Sequence, residues 1–439
     1  MQGTISSTGV QHVEGVVLVF LVVAFLFWFL VRKLASSRPE FRIGTPLAVG
    51  FGLRLAAIAG ISATGLEATL RGGDETTYLN LARYLALQPL GRGDLPHGPY
   101  QLQTVLFALE TKLGFLTVGA MRIVQVGIAL TGVILIIAAV YDLAGGRAAR
   151  LTAWILALEP ASLFFDSGIY KDPNMQLAAG LVVFGGTMIW RRLDVRGIII
   201  CALGGVIAVE TRSYAGWFLV SAAVLLLLHA ALRNIDRPLR AMPVIYAIVI
   251  AGMVVTPVLL QVSSKKNLQV LQQSQNANAT GAGEATGGAN GDNLALEQVD
   301  FSSRGAILTN LPKRIRDLIL KPYPWQLADS SQRFGAIGTL FSYAVLLLLL
   351  RYAWLSRGQI LPRAAPLLYP LFFLLVAYSL SVGNAGTGFR YRTHLTTLAI
   401  AAMVILREHV IRQRAESRVA ADRASRDAPG RGVPVAAGV

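Results

Sequence analysis

Residues 16–31 read VVLVFLVVAFLFWFLV, and residues 336–350 read AIGTLFSYAVLLLLL, two runs without a charged side chain. Runs of this length and composition are lipid-spanning material, and they decide the fold class. Working outward at the same hydropathy, the chain offers about eleven spans, near 14–31, 45–62, 119–141, 150–166, 174–190, 197–210, 214–231, 243–261, 336–352, 364–382 and 395–406. The expectation is an all-α polytopic membrane protein. With 54% hydrophobic and 15% charged residues over 439 positions, and a mean hydropathy of +0.55, a soluble enzyme is excluded. The single cysteine, Cys201, lies in an apolar run, so no intramolecular disulfide can form. No Lys or Arg precedes the first apolar run, whereas Arg32 and Lys33 follow it, so the run reads as a span rather than a cleaved signal peptide.

The net charge of +16 would suggest nucleic acid in a soluble protein; here its placement argues for lipid instead, and no nucleic-acid partner is expected. Alternate connections are short and basic, carrying Arg32, Lys33, Arg38 and Arg42, then Arg147 and Arg150, then Arg191, Arg192 and Arg196, then Arg233, Arg237 and Arg240, then Arg351, Arg357 and Arg363. The positive-inside rule puts these in the cytoplasm, with the N-terminus outside and the C-terminus inside. The organisation that follows is an extra N-terminal span and basic loop (1–44), a seven-helix core (45–261), a long outer loop (262–335), C-terminal spans (336–406) and a basic, solvated tail (407–439).

Two outer loops remain. In loop 63–118, Arg71-Gly72-Gly73-Asp74-Glu75 opens a segment in which Tyr78, Leu81, Ala82 and Leu85 recur at helical spacing. Further on, Leu102, Val105, Leu106, Leu109 and Leu113 share one face of a second helix. Both read as amphipathic helices lying on the outer surface. In loop 262–335, residues 272–293 are rich in Gly, Ala, Asn and Gln and lack apolar periodicity, so mobility is expected. Residues 307–320 return to helical spacing with Lys313, Arg314 and Arg316 on the polar side, a basic surface helix able to close over a bound lipid.

Asp74-Glu75 ahead of a helix bearing Tyr78 and Arg83, then His97-Gly98-Pro99-Tyr100 before the second surface helix, then Tyr141-Asp142-Leu143-Ala144-Gly145-Gly146-Arg147, then Leu158-Glu159-Pro160 ahead of Lys171-Asp172, form an ordered series. The series resembles the GT-C superfamily of membrane glycosyltransferases, nearest in layout to the protein O-mannosyltransferases and the lipid A aminoarabinose transferase. The extra first span departs from that pattern, as does the lack of a folded soluble C-terminal domain. The resemblance implies a transferase in the bacterial inner membrane that moves sugar from a polyprenyl-phosphate carrier to a hydroxyl of a glycan, lipid or protein at the outer face.

The residues suit such chemistry on their own terms. Displacement at an anomeric carbon needs a base for the incoming hydroxyl and cations for the departing phosphate, but no general acid. Asp74, with Glu75 beside it, is the expected catalytic carboxylate. Lys171, Arg212, Arg390 and Arg392 are the expected phosphate ligands, since a guanidinium fork matches phosphate oxygens. Arg390 and Arg392, two apart, would share one side of an extended segment. Asp172, Tyr78 and Arg83 are further site candidates.

Each has a structural alternative. Asp74 fits a helix cap, Lys171-Asp172 an interfacial ion pair, Arg212 a local pair with Glu210, and the two later arginines headgroup anchors. Glu159 and Arg54 read as buried structural groups, and His97 as a turn residue. No His/Cys cluster marks a structural metal, while a carboxylate-bound divalent ion is left open as a cofactor. Two other functions compete. A polysaccharide polymerase or ligase would also use polyprenyl-linked glycans, and a transporter would need broken or charged helices at the midplane.

Overall fold

A computed structural model of the chain describes residues 11–64, 72–87, 101–113, 117–234, 242–253, 303–323, 325, 330–383 and 385–427, with a few single positions between 269 and 276. All regular structure among them is helical. In chain order the helices are α1 (Gln11–Ala35), α2 (Gly44–Ala63), α3 (Gly72–Leu87), α4 (Gln101–Lys112), α5 (Val118–Ala144), α6 (Gly146–Ala157), α7 (Pro160–Phe165), α8 (Asp172–Arg192), α9 (Val195–Thr211), α10 (Ser213–Arg233), α11 (Met242–Met253), α12 (Arg304–Leu320), α13 (Ser330–Leu355), α14 (Ile360–Ser381) and α15 (Ala385–Asp427).

Seven of them, α1, α2, α5, α10, α13, α14 and α15, are long and apolar enough to cross a membrane. The chain is therefore a polytopic helical membrane protein. The other four expected spans fall on α6–α7, α8, α9 and the shorter α11. Burial separates centre from edge: 83% of the apolar window of α5 is buried, against 17% for α1. Phe25, Leu26, Trp28 and Phe29 of α1 are exposed, as are Ile199 and Val206 of α9 and Leu347 and Trp354 of α13. Such outward apolar belts are what a lipid solvent requires, since hydrocarbon gives no reason to hide them.

The central pair is α5 and α8. Thr117 starts α5 by accepting from Ala120 N at 3.1 Å, and Gly145, at φ 93°, ends it. Pro173 opens α8, where its missing N–H costs nothing. The two backbones touch: a Cβ on Gly132 would stand 2.3 Å from the Gln176 carbonyl oxygen, and one on Gly180 2.4 Å from that of Gly132. Small residues permit this approach where no hydrophobic force drives helices together.

The two ends of the bundle differ. At one, Arg38 donates to Asp142 from Nη2 at 2.7 Å, Arg191 approaches the same carboxylate at 3.5 Å, and Arg412 caps the Ala144 carbonyl. At the other lie α3, α4 and the loop before α8. The basic connections 32–42, 147–150 and 191–196 thus meet at a single end.

Four sequence expectations are corrected. The span at 150–166 is two helices, because Pro160 cannot donate to Leu156 and its ring crowds that carbonyl. Residues 388–392 are helical, not extended, so Arg390 and Arg392 stand about 200° apart around α15. Arg314 leaves the polar side of α12 and is buried, donating to Val382 O at 2.9 Å. The short span at 395–406 is part of one 43-residue helix, Ala385–Asp427, which is exposed over 412–423. Nearly all of 272–293, and all of 97–100, lie outside the described residues.

Candidate active site

Asp172, in the first turn of α8, is the hub. Its Oδ1 accepts from Arg212 Nη1 at 3.1 Å and its Oδ2 lies 3.0 Å from Arg390 Nε. His394 Nε2 is 3.0 Å from the Asp172 carbonyl oxygen and 3.8 Å from Oδ1. Each partner comes from a different element. Arg212 is the single extended residue (φ −148°, ψ 91°) between α9 and α10. Gly216 makes that turn tight, since a Cβ there would stand 2.3 Å from Val209 N. Arg390 and His394 sit one turn apart on α15, so they face the hub together.

An aromatic lining holds the cations. Tyr391 lies 4.2 Å beneath the Arg212 guanidinium and its hydroxyl is 2.8 Å from that of Tyr214. Tyr170 stands 5.1 Å from the Arg390 guanidinium, and Tyr378 OH reaches His394 Nδ1 at 3.0 Å. With Nδ1 held by a hydroxyl and Nε2 facing a carbonyl, the neutral Nε2–H tautomer satisfies both contacts. Two guanidinium groups then share one carboxylate in a buried centre, with Lys171 adjacent in sequence.

The surface helix α3 docks on this centre. Tyr78 packs with Ala82, Phe107, Met121 and Ile169, and the Lys171 ammonium sits 5.8 Å over the Tyr78 ring. Glu75 is buried and accepts from Arg122 Nε at 3.0 Å, while Arg122 Nη1 donates to Ser62 at 3.2 Å. Glu75 is therefore the clamp that fastens α3 to α5. Asp74 lies in the first turn of α3; its side chain is outside the described residues. Arg83 is exposed.

Arg392 turns away from Asp172. Its Nε donates to Leu318 O at 3.1 Å, its Nη2 to Lys321 O, and its Nη1 approaches Thr339 Oγ1 at 3.4 Å. It caps the end of α12. Of the four cations expected at phosphate, Arg212 and Arg390 converge on one carboxylate, Lys171 flanks it, and Arg392 serves a helix terminus instead.

A second charged pair lies deeper. Arg54, ten residues into α2, donates from Nε to Asp166 Oδ2 at 2.9 Å and from Nη1 to Gly50 O at 3.0 Å. Glu159 caps α7 through the backbone N–H groups of Ala161 and Ser162. The two groups read as structural in the sequence do not pair with each other. Arg54 takes Asp166, and Glu159 is spent on a helix N-terminus.

Sequence reasoning missed His394, Tyr378, Arg122 and Asp166. The signal was there for the first: Thr393, His394, Thr396 and Thr397 interrupt an otherwise apolar span, and polar groups inside spans mark functional or paired sites. Arg122 sits in the second turn of a long apolar helix, and its acidic partner is 47 residues away. Among the described residues, no three His, Cys, Asp or Glu side chains converge as a metal site. No family model, curated protein or solved structure matches the chain.

Proposed function

We propose that the chain is a membrane-embedded glycosyltransferase that moves a sugar from a polyprenyl-phosphate donor to an acceptor hydroxyl at the outer face of a bacterial inner membrane. On this reading it carries eleven spans and a cytoplasmic C-terminus. The observation that carries the proposal is the buried pairing of Arg212 and Arg390 on the single carboxylate of Asp172, with the Asp74-bearing helix docked alongside through Tyr78 and Lys171. Two guanidinium groups brought to one point offer forks that match phosphate oxygens.

The chemistry follows from charge. In a sugar–phosphate–polyprenyl diester the phosphate carries one negative charge. The acceptor oxygen attacks the anomeric carbon, Asp74 takes the hydroxyl proton, and the carbon–oxygen bond to phosphate breaks with its electron pair going to the phosphate oxygen. The phosphate leaves with a second charge. Fixed guanidinium groups stabilise that charge as it develops, and their aromatic packing avoids reorganisation during the step. Asp172 orients both forks and keeps them apart.

The test is sugar release from purified protein in nanodiscs supplied with glycosyl polyprenyl phosphate and a hydroxyl acceptor. Transfer that falls in Asp74→Asn and in Arg212→Ala supports the reading; a wild-type protein that binds no polyprenyl phosphate ends it. One feature favours a second reading. The α6–α7 break, with Arg54–Asp166 inside the bundle, is the kind of discontinuous charged helix that transporters use. Lipid flux across proteoliposomes without sugar transfer would select that alternative.

A further inference from the structure

His394 grips the backbone of Asp172, whereas Arg212 and Arg390 meet its carboxylate. The imidazole Nε2 lies 3.0 Å from the Asp172 carbonyl oxygen, and Nδ1 lies 3.0 Å from the Tyr378 hydroxyl. Both side chains are buried. With Tyr378 donating to Nδ1, the ring proton sits on Nε2 and is aimed at the carbonyl. The tie is a hydrogen bond between neutral groups, and it joins α15 to the first turn of α8.

Neighbouring residues of α15 divide their contacts by helix phase. His394 follows Arg390 by four residues, about 40° further round the helix, so both face α8. Arg392, about 200° from Arg390, holds the Leu318 and Lys321 carbonyls at the end of α12. Tyr391 packs on Tyr378 with ring centroids 4.7 Å apart and lies 4.2 Å beneath the Arg212 guanidinium. Charge alone does not set this register. Coulomb attraction has no preferred angle, so an arginine on a long stem can meet a carboxylate from many positions. A hydrogen bond weakens steeply with misalignment, and here both nitrogens of a rigid ring are engaged.

We infer that His394 is the positioning residue of this centre. Through the Asp172 carbonyl it sets the turn of α15 that brings Arg390 to the carboxylate, and Tyr378 sets the tautomer that lets it do so. The inference rests on the transferase reading and names what keeps one expected phosphate ligand in place. His394 acts through Arg390. Because its tie ends on backbone, neutralising the Asp172 side chain leaves it intact.

The test uses full-length protein in nanodiscs, with unfolding temperature and affinity for undecaprenyl phosphate as readouts. A Gln amide nitrogen stands about where Nε2 does and can donate to the carbonyl; an Asn amide reaches only the Nδ1 position. The ion pair is read first, without lipid, as the non-additivity of Arg390→Ala and Asp172→Asn in unfolding temperature. That coupling is expected in the wild-type background, largely kept with His394→Gln and lost with His394→Asn. For the lipid, His394→Asn should weaken affinity about as much as Arg390→Ala, and the two together no more than either alone. His394→Gln should recover most of that loss, and Tyr378→Phe should show a smaller loss in the same direction. A side chain that only fills space would instead lower stability in Asn and Gln alike and add its effect to that of Arg390→Ala. No coupling in wild type, or equal coupling in all three backgrounds, overturns the inference, as does an additive loss of affinity. Should His394→Asn fail to fold, Tyr378→Phe carries the same comparisons. A wild type that binds no undecaprenyl phosphate strikes the transferase reading, and the lipid-free coupling still decides on His394.

Discussion

Arg390 and Arg392 are two residues apart and serve two different structures: Arg390 Nε reaches Asp172 at 3.0 Å, while Arg392 Nε holds the Leu318 carbonyl at 3.1 Å. One stretch of α15 thus joins the Asp172 centre to the end of α12, the helix expected from the sequence to cover a bound lipid. Arg392 offers fixed geometry rather than a free charge.

The two arginines should therefore separate on mutation. Arg390→Ala is expected to weaken polyprenyl-phosphate binding, since charge-assisted hydrogen bonds are worth about 1.5–3 kcal/mol each. Arg390→Lys should restore only part, because an ammonium keeps the charge and loses the fork. Arg392→Ala should leave lipid affinity close to wild type but raise hydrogen exchange across 304–320. Equal loss of lipid binding in both variants would put Arg392 back at the phosphate.

Asp74 and Glu75 should also part company. Asp74→Asn is expected to bind carrier normally and lose about 10²–10⁴ in turnover, the usual contribution of a general base. Glu75→Gln removes the charge that faces the buried Arg122 guanidinium, and a loss of up to about 3–5 kcal/mol in stability is expected. Adding Arg122→Met to Glu75→Gln should recover much of that stability, measured by thermal unfolding as a double-mutant cycle. Full stability in the Glu75 single variant would argue against the clamp.

Burial of the Glu110 carboxyl pushes its pKa up to about 8, so at neutral pH it holds its proton. Its ordinary value is lower, so the native state binds more protons than the unfolded one between the two. The contribution of this group is full in acid and is lost as pH rises through about 8. Helix α4 is expected to loosen over that interval, seen as rising hydrogen exchange across 101–112, and Glu110→Gln should flatten the dependence. A pH-independent α4 in wild type would contradict this.

Arg54→Met should destabilise the bundle by about 3–5 kcal/mol by leaving Asp166 unpaired, and Arg54→Met with Asp166→Leu should come close to wild type. If the double variant keeps sugar transfer, the deeper pair is architectural. If it folds and abolishes lipid movement instead, the transporter reading gains.

The fold class was legible because lipid imposes a coarse rule: long apolar runs flanked by alternating basic loops. Those loops do share one end, as Arg38, Asp142 and Arg191 show. The break at Glu159-Pro160 was legible in principle, but hydropathy over 150–166 outvoted the proline. The hub was half legible. Lys171-Asp172, Arg212 and Arg390 stood out as charges at span ends, yet their convergence depends on helix phase. Treating 388–392 as extended put Arg392 on the wrong side. The polar face of α4 was invisible for another reason: leucine periodicity says which face is apolar, and only packing says which way that face looks.

On the transferase reading, the contact of Gly132 with Gly180 bears on how a lipid would enter. Helices whose backbones touch cannot slide or part without losing the whole seam, so α5 and α8 make a keel. Arg122 rides on one half of it and Asp172 on the other, which fixes the distance between the anchor of α3 and the hub. Any opening must therefore come from the opposite side, where Arg212 is a one-residue joint and Arg390 belongs to α15. A long-chain lipid would be admitted by the swing of α10 or α15 away from an unmoving keel, carrying the arginines off the carboxylate and returning them once the phosphate is seated.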